Sequence, residues 1–192
     1  MRFLVHLGAM LLVALVVGFG LSWYALSDGR LFGAIEIGPW SAWRDVGIPA
    51  PDPYTRAFIA RSGALELGAS EGIQFIATTD SDNRRLDRAC RYRIDGSTPA
   101  ARFWTLVPVA PDDGRPITRQ DGPADFQSAR LSRAGDGSVE LYVSKTMAPQ
   151  NWLEITGDGA FDLVLTLYDT SSLSGVGADV AALPSIIREA CA

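Results

Sequence analysis

The sequence predicts a mostly β domain, an antiparallel β-sandwich or jelly roll with one short helix, carried behind a single N-terminal transmembrane helix. Three observations predict it. Residues 3–26 form an apolar run of 24 residues without a formal charge. From Ile73 onward apolar residues recur with period two, in short runs divided by Gly-, Asp- and Asn-containing turns. Only the segment after Asp52 carries clear helix start signals.

The apolar run (FLVHLGAMLLVALVVGFGLSWYAL) extends for ~36 Å as a helix, enough to cross a hydrocarbon core of ~30 Å. A cleaved signal peptide has a shorter apolar core and a small-x-small exit. Here the exit reads Trp23-Tyr24-Ala25-Leu26-Ser27, with a bulky indole where a small residue is needed and an aromatic pair suited to the membrane interface. The run is therefore read as an uncleaved anchor. Arg2 and the α-amine precede it, while Asp28 and Arg30 nearly cancel after it, which orients the N-terminus inward. The expected location is the inner membrane, single-pass, with the C-terminal domain in the periplasm. His6 is read as a tolerated residue near the membrane entry. Ala14-x-x-x-Gly18 matches a helix-pairing pattern that many apolar helices contain, so no pairing is assigned to it.

Residues 1–26 are thus the anchor, 27–50 a juxtamembrane linker rich in Gly and Pro that docks through Trp40 and Trp43, and 51–192 the β-sandwich domain. In the domain, Asp52 is placed to cap a helix, Pro53 fits its first turn, and Gly63 fits the position after its end, giving a helix over 54–62 that packs Tyr54 and Phe58 on the body. Strands follow at Ile73–Thr79, Ala89–Ile94 and Ala101–Val109, with turns at Asp80-Ser81-Asp82-Asn83 and Asp95-Gly96. Residues 110–125 form a long irregular loop. Further strands are expected at Phe126–Ser132, Val139–Ser144 and Phe161–Tyr168, with a hairpin turn over residues 134–137 and a loop carrying Asn151-Trp152. In the tail, Ala178–Leu183 reads as a helical turn and Ser185–Ala190 as a closing strand. Alternation puts Cys90, Tyr92, Ile94, Val139, Leu141, Val143, Phe161, Leu163, Leu165 and Leu167 inward. It puts Arg91, Arg93, Glu140, Tyr142, Ser144, Asp162, Thr166 and Tyr168 outward.

Composition excludes several functions. Beyond residue 26 the chain has 16 basic and 22 acidic side chains, no footprint for nucleic acid. The domain has no histidine, which removes His-dependent nucleophilic triads and the usual zinc sites. Rossmann and P-loop glycine patterns are absent, so no cofactor is expected. Asp80-Ser81-Asp82-Asn83 resembles the opening of a calcium loop, yet Arg85 and Arg91 stand where glycine and glutamate are required. No metal ligands and no catalytic residues are assigned. Asp112, Asp113 and Asp121 are read as solvated, and nothing in the sequence buries Lys145 as a base. Two cysteines, Cys90 and Cys191, are expected to pair outside the cytoplasm and to close a loop of about 101 residues.

What remains is a surface. Tyr142, Tyr168, Trp152, Arg91 and Arg93 are the candidate contact residues for an envelope glycan or a protein partner. Trp104, which shares a face with Arg102, is open between core and site. The leading reading is a non-enzymatic, membrane-anchored ligand- or partner-binding module. A carboxylate-dependent hydrolase of envelope glycans and a structural assembly partner of another membrane protein are the alternatives.

Several segments resemble a known bacterial family: residues 52–96, ARFWTLVPV (101–109), DGSVELYVS (136–144), and NWLEITGDGAFDLVLTLY (151–168), the most specific of them. They resemble the domain of unknown function 1214, often found at the C-terminus of longer chains behind the domain of unknown function 1254. The resemblance spans roughly residues 50–191 and implies a jelly-roll-like β-sandwich. It implies no activity, and in this chain an anchor stands where longer members carry the second domain.

Overall fold

Strict alternation in the chain becomes two sheets that share one apolar interior. The structure, a computed structural model, describes residues 2–27, 34–43, 46–62, 67, 68, 70–96, 101–133, 135, 139–169 and 183–191. Its elements run α1 (Arg2–Ser27), β1 (Ala34–Ile37), β2 (Trp40–Trp43), α2 (Pro53–Ser62), β3 (Gly72–Ala77), β4 (Cys90–Asp95), β5 (Phe103–Val109), β6 (Phe126–Gln127), a 3-10 turn (Ser128–Arg130), β7 (Glu140–Ser144), β8 (Asn151–Glu154), β9 (Asp162–Tyr168) and β10 (Ser185–Cys191). A six-stranded sheet has the order β1-β2-β3-β9-β5-β6, and a four-stranded sheet the order β10-β4-β7-β8. All named strand pairs are antiparallel except β7 and β8, which run parallel.

The residues expected inward, Cys90, Tyr92, Ile94, Leu141, Val143, Phe161, Leu163, Leu165 and Leu167, are buried, and Val139 packs against them. Cys90, Tyr92, Ile94, Leu141, Val143, Leu153 and Ile186 from the smaller sheet meet Trp40, Ala42, Phe75, Ala77, Trp104, Leu106, Leu163, Leu165 and Leu167 from the larger. Tyr92 and Phe161 pack edge to face, 5.6 Å between centroids. Gly72 shows why one position in β3 admits no side chain. A Cβ there would lie 2.3 Å from the Leu167 carbonyl oxygen of β9, so the two backbones approach only because it is glycine.

The structure departs from the sequence reading in five places. Residues 34–43, inside the segment read as linker, are two strands of the larger sheet, and Trp40 is fully buried with its Nε1 donating to the Pro184 carbonyl at 2.7 Å. Asn151-Trp152 lie in strand β8, not in a loop. The long strand expected over 126–132 shrinks to two residues followed by a 3-10 turn. Thr166 and Ser144, expected outward, are buried: Thr166 lies in a central strand next to the Gln74 amide (3.5 Å), and the Trp152 indole covers Ser144. Tyr54, expected to pack on the body, is 43% exposed. The Phe58 side chain, Gly63, most of the turn over 134–137 and residues 178–182 lie outside the described residues.

The C-terminal strand is fastened at three points. Cys90 and Cys191 face each other in register and are joined by a disulfide across a sequence separation of 101. Ser81 and Ile186 exchange two bonds, Ser81 N–H to the Ile186 carbonyl and Ile186 N–H to Ser81 Oγ, both 2.9 Å. The third point is Asp80, a carboxylate with no solvent exposure. Its Oδ2 lies 3.1 Å from Arg84 Nε and 3.0 Å from Arg188 Nε, while Oδ1 accepts the amides of Asp82 and Arg84. A buried charge survives only when paired and hydrogen-bonded in this way. Both oxygens are consumed, so the calcium-like opening serves as a structural turn.

Candidate functional site

The outer face of the four-stranded sheet collects four of the six predicted contact residues. In register, Arg93 of β4 lies opposite Tyr142 of β7, and Tyr142 lies opposite Trp152 of β8, so the three form one cross-strand row continued on β10 by Ile187. Neighbouring strands are ~4.8 Å apart, which sets Tyr142 and Trp152 side by side. The indole is held in place, its Nε1 lying 3.2 Å from both the Ser144 carbonyl oxygen and Ser144 Oγ. One residue pair further along, Arg91 donates from Nη2 to Thr146 Oγ1 at 2.9 Å and to the Met147 carbonyl at 3.5 Å. Met147 itself is 79% exposed at the rim.

Charge around the row is arranged on one cation. Arg93 Nη1 lies 2.8 Å from Asp95 and 3.5 Å from Glu140, and its Nε lies 3.4 Å from Glu189 on β10. The Tyr142 hydroxyl donates to Glu140 Oε2 at 3.4 Å. Partial burial, and then the negative charges of Glu140 and Glu189, push the Tyr142 phenol above its ordinary value. The face thus offers two fixed aromatic surfaces flanked by a three-carboxylate, one-guanidinium cluster. It supplies rings suited to stacking, and donors and acceptors suited to hydroxyl or amide groups.

The other two predicted residues lie elsewhere. Tyr168 is on the outer face of the six-stranded sheet, tilted against Phe103 at 5.7 Å, and so forms no part of the Tyr142 row. Trp104, left open between core and site, is 4% exposed and sits in the inward row of β5 opposite Leu167. Glu189 and Ile187 are the contributors that alternation did not single out, because the tail carries no clear start signal. Glu140 was legible as an outward residue on the strand of Tyr142.

Asp112, Asp113 and Asp121 are exposed in the long loop, and Lys145 pairs with Asp158 at 2.6 Å on the surface. That pairing, first through the hydrogen bond and then through charge, lowers the Asp158 carboxyl below its usual range. Among the described residues no group of three His, Cys, Asp or Glu is placed to hold a metal ion. Helix α1 is the one described helix long and apolar enough to cross a membrane, which suits a single-pass anchor or a signal sequence.

Two solved bacterial structures are similar to the chain. The VPA0106 protein of Vibrio parahaemolyticus matches with a TM-score of 0.56 and 16% identity, over 71% of this chain and 35% of its own. An uncharacterised protein from Burkholderia cenocepacia matches with a TM-score of 0.47 and 19% identity, over 86% of this chain and 38% of its own. The chain therefore spans little more than a third of either relative. No curated protein matches the sequence. The protein family described as "Protein of unknown function (DUF1214)" matches residues 71–172, a stretch running from just before β3 to just beyond β9. With more than half of its length matched, and with that stretch holding most of both sheets, the chain belongs to the DUF1214 family.

Proposed function

We propose that this protein is a membrane-anchored, non-enzymatic binding module whose ligand lies on the outer face of the four-stranded sheet. The observation that carries the reading is the Arg93–Tyr142–Trp152 row, two aromatic rings fixed side by side next to a cluster of charged hydrogen-bonding groups. Flat aromatic pairs stack on the C–H faces of sugar rings, and neighbouring carboxylates and guanidinium groups take hydroxyls, so an envelope glycan fits the chemistry. In this reading α1 holds the module in the inner membrane with the domain in the periplasm, where a disulfide persists.

The test is titration of the purified protein with soluble peptidoglycan fragments, followed by tryptophan fluorescence and calorimetry. Saturable binding is expected, with Trp152→Ala and Tyr142→Ala each weakening it tenfold or more while the far-UV spectrum stays native. No binding by the wild type, or undiminished binding by both variants, overturns the reading. A Trp152→Ala protein that does not fold assigns the indole to the core, and the variant Tyr142→Ala, at a half-buried position, then decides.

A further inference from the structure

We propose that α2 is a second membrane contact, an interfacial helix that lies on anionic headgroups beside the anchor; this rests on the reading of α1 as a membrane span. The geometry begins at Trp23, in the aromatic pair at the end of the apolar span. The Arg61 guanidinium of α2 stacks over the Trp23 ring, 4.9 Å from its centroid, so α2 packs against the interfacial end of α1. Trp at such a position sits at headgroup depth. Arg61 is therefore carried to the depth of lipid phosphates.

The helix has the surface for it. Thr55, 1% exposed, marks the side of α2 turned to the protein. At 100° per residue the opposite side reads Arg56, Ala60, Pro53, Ala57, Arg61 and Tyr54. Arg56, Ala60, Pro53 and Arg61 are exposed, and so is Tyr54. Two arginines thus flank a strip of small residues, with a tyrosine at the edge nearest α1. No acidic residue occurs between 53 and 62, although the part of the chain beyond residue 26 carries six more acidic than basic groups. An anionic bilayer repels such a body and attracts this one face, so charge orients the domain with α2 downward.

Two arginines do not bind a free protein to a membrane. A tethered one needs no more, because α1 fixes the local concentration of headgroups and the remaining equilibrium is intramolecular. Each arginine near an anionic surface changes that equilibrium about fivefold, so the pair changes it roughly twenty-five-fold.

The experiment uses the full chain in nanodiscs of phosphatidylcholine alone and of phosphatidylcholine with ~30% phosphatidylglycerol. Backbone hydrogen exchange is followed across residues 53–62. Exchange is expected to slow by tenfold or more in the anionic discs, and half-molar salt is expected to remove most of the difference. Arg56→Glu with Arg61→Glu is expected to abolish it, while strands β3 and β9 exchange as in the wild type. Equal exchange in both lipids overturns the proposal, as does a difference that survives both salt and charge reversal. A chain that fails to stay with the discs refutes the span reading instead, which separates the two failures. If the charge-reversed protein does not fold, the salt dependence of the wild type decides alone.

Discussion

Replacing Cys191 by serine removes the cross-link between the two strands β4 and β10 and leaves almost everything else in place. The Cys191 residue is exposed, so a serine hydroxyl there is solvated, and Ile186 remains buried. The Ser81–Ile186 bonds and the Asp80–Arg188 pair still hold β10. The loss falls mainly on the unfolded ensemble, which regains the freedom of a loop of 101 residues. Loop-closure entropy sets that at about 4.7 kcal/mol. Against a domain stability of about 5–15 kcal/mol this is a large share. At about 2–4 °C per kcal/mol for a domain of this size, Tm should fall by about 9–19 °C. Urea denaturation followed by far-UV circular dichroism measures it, and the unfolding slope should steepen because the unlinked chain exposes more surface. Wild-type protein treated with reductant must give the same midpoint as the variant. A loss under about 1 kcal/mol refutes the loop-entropy reasoning. Two thiols reacting with Ellman's reagent in unreduced, urea-unfolded wild type refute the bridge itself.

Other perturbations probe other contacts. Asp80→Asn removes the buried carboxylate that pairs with Arg188 and leaves Arg84 only its Asp82 contact, and should cost about 3–5 kcal/mol in chemical denaturation; a change within about 0.5 kcal/mol removes Asp80 from its structural role. Trp40→Ala empties a fully buried site that also satisfies the Pro184 carbonyl, and a loss of about 3–5 kcal/mol by the same assay would show that β2 belongs to the folding unit. Burial, opposed by the Asp87 amide bond and the nearby Arg188 charge, raises the Tyr92 phenol, and Tyr142 is raised as well. Because both folded values lie above the ordinary phenol value, the stability they confer is intact below about pH 10 and is lost as pH rises through the folded values. Absorbance at 295 nm should therefore show late-titrating tyrosines, and both Tyr92→Phe and Tyr142→Phe should remove part of that late amplitude; a single titration near pH 10 would contradict this.

The long alternating strands were legible because each buries one face and shows the other, which writes period two directly into β3, β4, β5, β7 and β9. Helix α2 was legible from Asp52, whose carboxyl accepts the amides of Tyr54 and Thr55. The neighbouring Thr55 hydroxyl, and then the Thr55 amide, lower that carboxyl below its usual range. Three strands escaped for physical reasons. β8 inverts the pattern: Asn151 is buried, accepting the Ser132 amide and donating to the Ser132 and Glu140 carbonyls, while Trp152 is only half-buried. β1 and β2 are four residues each, joined by Gly38-Pro39, too short for a period to emerge. Arg93 and Tyr142 could be anticipated as outward by parity, but which strands bring Arg93, Tyr142 and Trp152 abreast depends on sheet order, and pairing partners leave no mark in a local pattern. Trp104 shows the same limit, since parity cannot say which face of a strand is covered.

The stapled position of β10 also dictates the order in which the small sheet can assemble. Strand β4 is made early and its β7 neighbour follows, but its second neighbour emerges some ninety residues later. Throughout that interval β4 has one open edge and Cys90 has no bonded sulfur. The sequence holds only one other cysteine, so an incomplete chain has no wrong partner within itself. Any premature bridge must join two molecules. Crowded nascent chains, not slow shuffling within one chain, are the hazard this topology carries, and dilution or an exchanging thiol is its remedy.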